Sequence, residues 1–154
     1  MRVEISATAK VPVRAAYEAF TNFETMPLWS RSTKAVKVLE RQGDTVSLQV
    51  TDARSGAVGT RRLKLMASGG VESKSETRFT QTKMLVEFTE VPEGTMIRAT
   101  LDVNVKGAWR RILTTRGRDE VEPSARQELT AFVKYIEGLP RNEFPGGREG
   151  HLLS

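Results

Sequence analysis

The stretch Pro123–Glu137, PSARQELTAFVKYIE, decides how the rest of the chain reads. Ala125, Leu129, Phe132, Val133 and Ile136 fall at the i, i+4, i+7, i+8, i+11 spacing of one helix face. Arg126, Gln127, Glu128, Thr130, Lys134 and Glu137 fill the other side. Two signals place the start. Pro123 suits a first helical turn, where its missing N–H has no partner to lose, and Ser124 with Gln127 fits a capping box. Gly138 and Pro140 mark the stop. A helix with so wide an apolar stripe needs a large apolar surface to lie on.

The preceding residues supply one. Residues 2 to 11 alternate Val3, Ile5, Ala7, Ala9 and Val11 with polar neighbours, the pattern of a half-buried strand. Pro12 ends it, and VRAAYEAFTNF puts Val13, Ala16, Tyr17, Phe20 and Phe23 on one helical face. Pro27 then breaks the pattern, leaving Met26, Leu28 and Trp29 in a short helix or loop that reads as core or as the lip of a pocket. From residue 33 the chain reads as a meander: Lys34–Arg41, Thr45–Asp52, Val58–Ala67, Val71–Phe79, Lys83–Glu90 and Thr95–Val105. The hairpin-like linkers between them predict one antiparallel sheet of about seven strands rather than βαβ units. KGAWRRILTTRGRDEV, residues 106 to 121, predicts a helical turn or two interrupted at Gly117.

Composition narrows the chemistry. A chain of 154 residues suits one domain, expected over 1–138, with a disordered tail from 139 to 154 that carries Pro140 and Pro145. With 38% hydrophobic and 28% charged residues it reads as soluble and globular. It lacks both a bilayer-length apolar run and a signal-peptide core, which predicts a cytoplasmic location. There is no cysteine, and the one histidine, His151, lies near the C-terminus. Disulfides and thiolate catalysis are therefore excluded, and Ser-His-Asp catalysis and zinc hydrolysis are poor fits. No metal, cofactor or catalytic residue is expected. The net charge of +5 favours anionic partners only mildly.

The order strand, two short helices, six-strand meander, terminal helix is an α+β helix-grip pattern. In particular, KVPVRAAYEAFTNFETMPLW resembles the opening signature of the START-related superfamily, which includes polyketide cyclase/dehydrase-like proteins. The resemblance rests on Pro12, Tyr17, Phe20, Asn22-Phe23, Pro27 and Trp29. VEFTEVPEGTMIRATLDV is similar to that family's late hairpin with its Gly94-Thr95 turn. The resemblance covers residues 1 to 138 and implies a curved sheet gripping the terminal helix around a ligand cavity.

Strand parity and the resemblance together nominate ligand-binding residues: Phe20, Met26, Trp29, Leu48, Val50, Asp52, Arg61, Leu63, Ser75, Phe79, Met84, Phe88, Trp109, Leu129, Phe132, Val133 and Ile136. For any one apolar position, plain core packing is the commoner role. Asp52 and Arg61 flank one turn and are expected to oppose each other, either as a grip on a polar ligand head or as a solvated rim pair. Ser73, Ser75 and Thr77 share a face with Phe79 and give that wall some polarity.

Three functions fit: a carrier of a lipid-, quinone- or polyketide-like ligand, a cyclase/dehydrase-like enzyme, or a ribosome- or membrane-associated module. The last uses Arg110, Arg111, Arg116 and Arg118 beside Trp109 to meet nucleic acid or an anionic surface. The acidic residues that follow make a solvated face the commoner reading.

Overall fold

The computed structural model describes residues 1–76, 80–107 and 110–139, with 110–119 described by their backbone alone. Seven strands form one antiparallel sheet: β1 (Arg2–Ala9), β2 (Thr33–Gln42), β3 (Thr45–Asp52), β4 (Val58–Leu65), β5 (Gly70–Glu76), β6 (Thr80–Val91) and β7 (Gly94–Val105). Their order is β1-β7-β6-β5-β4-β3-β2. The first two strands therefore lie at opposite edges, and their connection must cross the open face of the sheet. That connection is α1 (Val13–Thr21) followed by a 3-10 helix, Phe23–Leu28.

Short-range chemistry explains α1. Arg14 and Glu18 pair one turn apart at 3.0 Å, while Ala15, Ala16 and Phe20 turn inward. The Thr21 hydroxyl donates back to the Tyr17 carbonyl at 2.9 Å as the helix ends. Pro27 is accommodated because the 3-10 segment is short. In the sheet, alternation buries Val46, Leu48 and Val50 of β3 and Val86 and Phe88 of β6 on the concave face. Two irregularities in β2, between Thr33 and Ala35 and between Val38 and Glu40, interrupt that edge ladder.

The final helix, α2 (Arg110–Gly138), lies over this concave face and packs chiefly on β1 and β7. Phe132 and Ile136 are 2% and 0% exposed, so the helix is a structural part of the core. This is the helix-grip arrangement.

The predicted helix start at Pro123 is corrected. Pro123 lies inside α2, and the 106–121 segment does not break at Gly117; helix runs unbroken from Arg110. The physical reason is that the apolar stripe does not begin at Ala125. Val121, one turn earlier, is also packed against the core, and burying that continuous stripe offsets the backbone hydrogen bond that a helical proline forgoes. Strand ends shift by a few residues: β4 stops at Leu65, and β6 extends to Thr80 and Val91. Of the expected tail, 139 to 154, only Leu139 is described, and it is half-buried against the core. Residues from 140 onward, Thr77 and Phe79, and the side chains of Trp109 and the 110–118 basic segment lie outside the described residues.

Candidate functional site

Phe20 organises the ring contacts beneath α2. Its ring lies 5.4 Å from Phe132 of α2 in an edge-on contact, 5.6 Å from Phe88 of β6 and 6.3 Å from the stacked Trp29 indole. Trp29 and Phe132 meet directly at 5.0 Å. Such pairs add a directional preference to plain burial. They prop the 3-10 segment against the helix, and the space beside them is not filled.

That space is a cavity of about 300 Å³. Its apolar wall comes from Ile5 of β1, Met84 and Val86 of β6, and Ile97, Ala99 and Leu101 of β7. Phe20, Met26 and Trp29 close one side, and Val121, Ala125, Leu129 and Phe132 of α2 form the roof. The remaining wall is polar: Ser30, Ser32, Thr33, Arg61, Ser124 and Glu128. Bonds within this group hold it together. The Ser30 hydroxyl donates to Thr33 Oγ1 at 3.0 Å and lies 3.2 Å from Ser32 Oγ. Glu128 accepts from both the N–H and the hydroxyl of Ser32. Ser32, Ser124 and Glu128 also line an outer hollow that they share with Arg31, Asp52 and Arg54. The polar end of the cavity is thus the end next to solvent.

Arg61 is the cation of the cavity's polar wall. On β4 it pairs in register with Leu48 and Ser75, which gives it the inward parity of Leu63. Burial lowers its pKa from the ordinary guanidinium value, and the charge of Glu128 opposes that shift. Glu128 lies beyond ion-pair distance, and among the described residues Arg61 has no hydrogen-bond or salt-bridge partner. An arginine carries five N–H donors, so this wall offers unused donor capacity to whatever enters.

Seven of the nominated residues meet in the cavity wall: Phe20, Met26, Trp29, Arg61, Met84, Leu129 and Phe132. Leu48, Val50, Leu63, Phe88 and Ile136 lie behind it in the packed core, and Val133 is half-buried against that core. Ser75 is half-buried beside Arg61 in the ladder but does not reach the cavity. Phe79 and Trp109 fall outside the described residues.

The expected Asp52–Arg61 opposition is corrected by the register. Arg61 faces Leu48, and Asp52 faces Thr33 across the β2–β3 pair. The turn between β3 and β4 absorbs the residues that parity alone would have paired. Asp52 instead caps that turn, accepting from the Ser55 N–H at 2.7 Å, the Ser55 hydroxyl at 2.8 Å and the Arg54 N–H at 3.2 Å. These donors, Ser55 foremost, hold its carboxyl below the ordinary value of 3.8.

Helix periodicity places Glu128 on the wet face, yet it is half-buried at the cavity mouth. Its partner Ser32 is 96 residues away, and no local signal could have named that contact. Ser30 lies in a connection, where neither helix nor strand period applies, and Thr33 is the first residue of β2, one before the strand start expected at Lys34.

Residues 9–118 match the family described as polyketide cyclase / dehydrase and lipid transport, and the chain belongs to that family. In structure it is similar to the Zhui aromatase/cyclase of a Streptomyces species, with a TM-score of 0.77 and 16% identity over 96% of this chain and 98% of that one. It is also similar to TTHA0849 of Thermus thermophilus, with a TM-score of 0.77 and 13% identity over 88% of this chain and 97% of that one. A START superfamily protein of Mycobacterium smegmatis gives a TM-score of 0.65 and 18% identity over 89% and 94% of the two chains. Identities this low carry the fold and not the activity. A sequence search of curated proteins found no match. Among the described residues no His, Cys, Asp or Glu cluster is placed to hold a metal, and no helix is long and apolar enough to cross a membrane.

Proposed function

We propose that this protein binds a small amphipathic molecule, its apolar body under α2 and an oxygen-bearing head against Arg61. The observation that carries this reading is the division of one cavity into an apolar wall and a polar mouth that contains an arginine without a bonded partner. Arg61 is half-buried, and its guanidinium N–H groups make no bond to a described residue, so a ligand oxygen accepting from them would gain a charge-assisted hydrogen bond. At about 300 Å³ the cavity is at the small end of ligand sites, which run from roughly 300 to 1,000 Å³. A compact aromatic or short acyl compound suits it better than a full-length lipid. Membership in a family of cyclases and lipid-transport proteins supports the same reading.

The experiment compares two probes of one shape, a small aromatic carboxylate and its hydrocarbon counterpart, by ligand-detected NMR on the wild type and on Arg61→Met. Both probes should bind the wild type. The substitution should weaken the carboxylate roughly tenfold, the scale of one hydrogen bond to a charged group, and leave the hydrocarbon unchanged. Failure of the wild type to take up either probe sinks the proposal.

A second reading, a cyclase/dehydrase-like enzyme, draws on Glu128. It is the carboxylate in the cavity wall and stands near Arg61, so it is the group best placed to accept a proton from a bound substrate. Release of a carbonyl-rich ligand chemically changed, with the change abolished in Glu128→Gln, would favour this reading over simple carriage.

A further inference from the structure

On the outer side of Trp29 lies a second hollow, of about 570 Å³, between the 3-10 segment and the solvent face of α2. Leu28, 70% exposed, stands at its edge, and Trp29 and Tyr135 form its half-buried base. Arg31, Arg126 and Lys134 surround these apolar groups, and no carboxylate lines the hollow among the described residues. Glu122 pairs with Arg126 at 2.9 Å, but both side chains are substantially exposed, so that pair holds the guanidinium only weakly. Trp29 lines both the hollow and the cavity.

We infer that this hollow docks the protein on an anionic lipid surface. An exposed leucine beside a tryptophan and a tyrosine, ringed by long cationic side chains, suits the headgroup boundary of a bilayer. There the apolar groups enter the acyl region while arginine and lysine reach phosphates. The ring is positively charged and the partner negatively charged, which fixes the class of lipid. With one exposed leucine as its apolar anchor, association is weak, reversible and dependent on salt. The position next to the Trp29 wall would bring a membrane beside the cavity. That consequence rests on the binding reading above; docking itself does not.

The test is sedimentation of the full chain with phosphatidylcholine vesicles and with vesicles that also contain phosphatidylserine. Binding should occur only to the anionic vesicles and fall as salt is raised. Leu28→Ser should weaken it severalfold, and Arg126→Ser and Lys134→Ser by about fivefold each, the scale of one cation near an anionic surface. All three side chains are exposed, so circular dichroism and probe uptake by the cavity should be unaltered. Equal binding to neutral vesicles, binding indifferent to the three substitutions, or no vesicle binding overturns the inference. That holds even if the same face then proves to bind an acidic protein segment. A wild type that takes up the probe but binds no anionic vesicles would refute docking alone and leave the cavity proposal standing.

Discussion

Glu128 of α2 accepts two hydrogen bonds from Ser32, from the backbone N–H at 3.2 Å and the hydroxyl at 2.9 Å. This contact joins the helix to the loop before β2 at the cavity mouth. A second tie lies further along, where the Lys10 N–H donates to Glu137 at 2.8 Å. The helix is thus held to the rest of the fold at both points by its own carboxylates.

Removing the mouth contact should be measurable. Glu128→Ala is expected to cost about 1–2 kcal/mol in denaturant unfolding, because two bonds to a charged acceptor are lost at a partly solvated site. It should also speed exchange of a bound hydrophobic probe. Glu128→Gln keeps an acceptor oxygen for Ser32 and should recover part of the stability. A change for Glu128→Ala within about 0.5 kcal/mol, the range of an ordinary surface substitution, would mean that the contact holds nothing closed.

Gly94 and Thr95 close the β6–β7 hairpin against the β1–α1 junction. Gly94 has φ 142°, and a Cβ there would stand 2.2 Å from the Ala9 carbonyl oxygen and 3.0 Å from the Val11 nitrogen. Backbone atoms cannot move aside as a side chain can, so Gly94→Ala should cost more than about 3 kcal/mol or prevent folding. Thr95 is fully buried and donates to the Val11 carbonyl at 2.8 Å. Thr95→Val preserves the shape and should cost about 1–3 kcal/mol, since it strands a buried acceptor. Thermal unfolding of the two variants checks the order. If Thr95→Val proves the more damaging, the close approach at Gly94 is not the controlling constraint.

Asp52 provides a pH test. Its folded-state pKa is depressed, mainly by the Ser55 N–H and hydroxyl, so it binds its proton less readily folded than unfolded. Its contribution is therefore present in full above the ordinary value of 3.8 and is lost as pH falls through the lower folded-state value. The thermal midpoint of the wild type should exceed that of Asp52→Asn near neutrality, and the difference should shrink in strong acid. A difference that stays constant with pH would show that the turn is held by shape rather than by charge.

Periodicity was enough to read the sheet. β3 is found at Thr45–Asp52 with the parity expected of Val46, Leu48 and Val50, and the apolar residues of β1, β6 and β7 turn the same way. A strand that buries one face must alternate, and the alternation survives in the sequence whatever the neighbours are. The C-terminal part of α2 was legible for the same reason, through Leu129, Phe132 and Ile136. Its start was not. Pro123 carries a genuine local start signal, but tertiary burial of Val121 outweighs it.

What the sequence by itself determined is the sheet, the terminal helix and the residues that turn inward, because these follow from local period and turn chemistry. Which inward residues pack and which face empty space was decided only by the tertiary structure. Leu48 and Met84 share one parity, yet Leu48 is sealed in the core and Met84 lines the cavity. The mouth, too, is a product of the fold: Ser32, Arg61 and Glu128 come from a loop, a strand and a helix distant in the chain. Their proximity depends on how the aromatic contacts of Phe20, Trp29 and Phe132 hold α2 against the sheet, and that separation has no local signature.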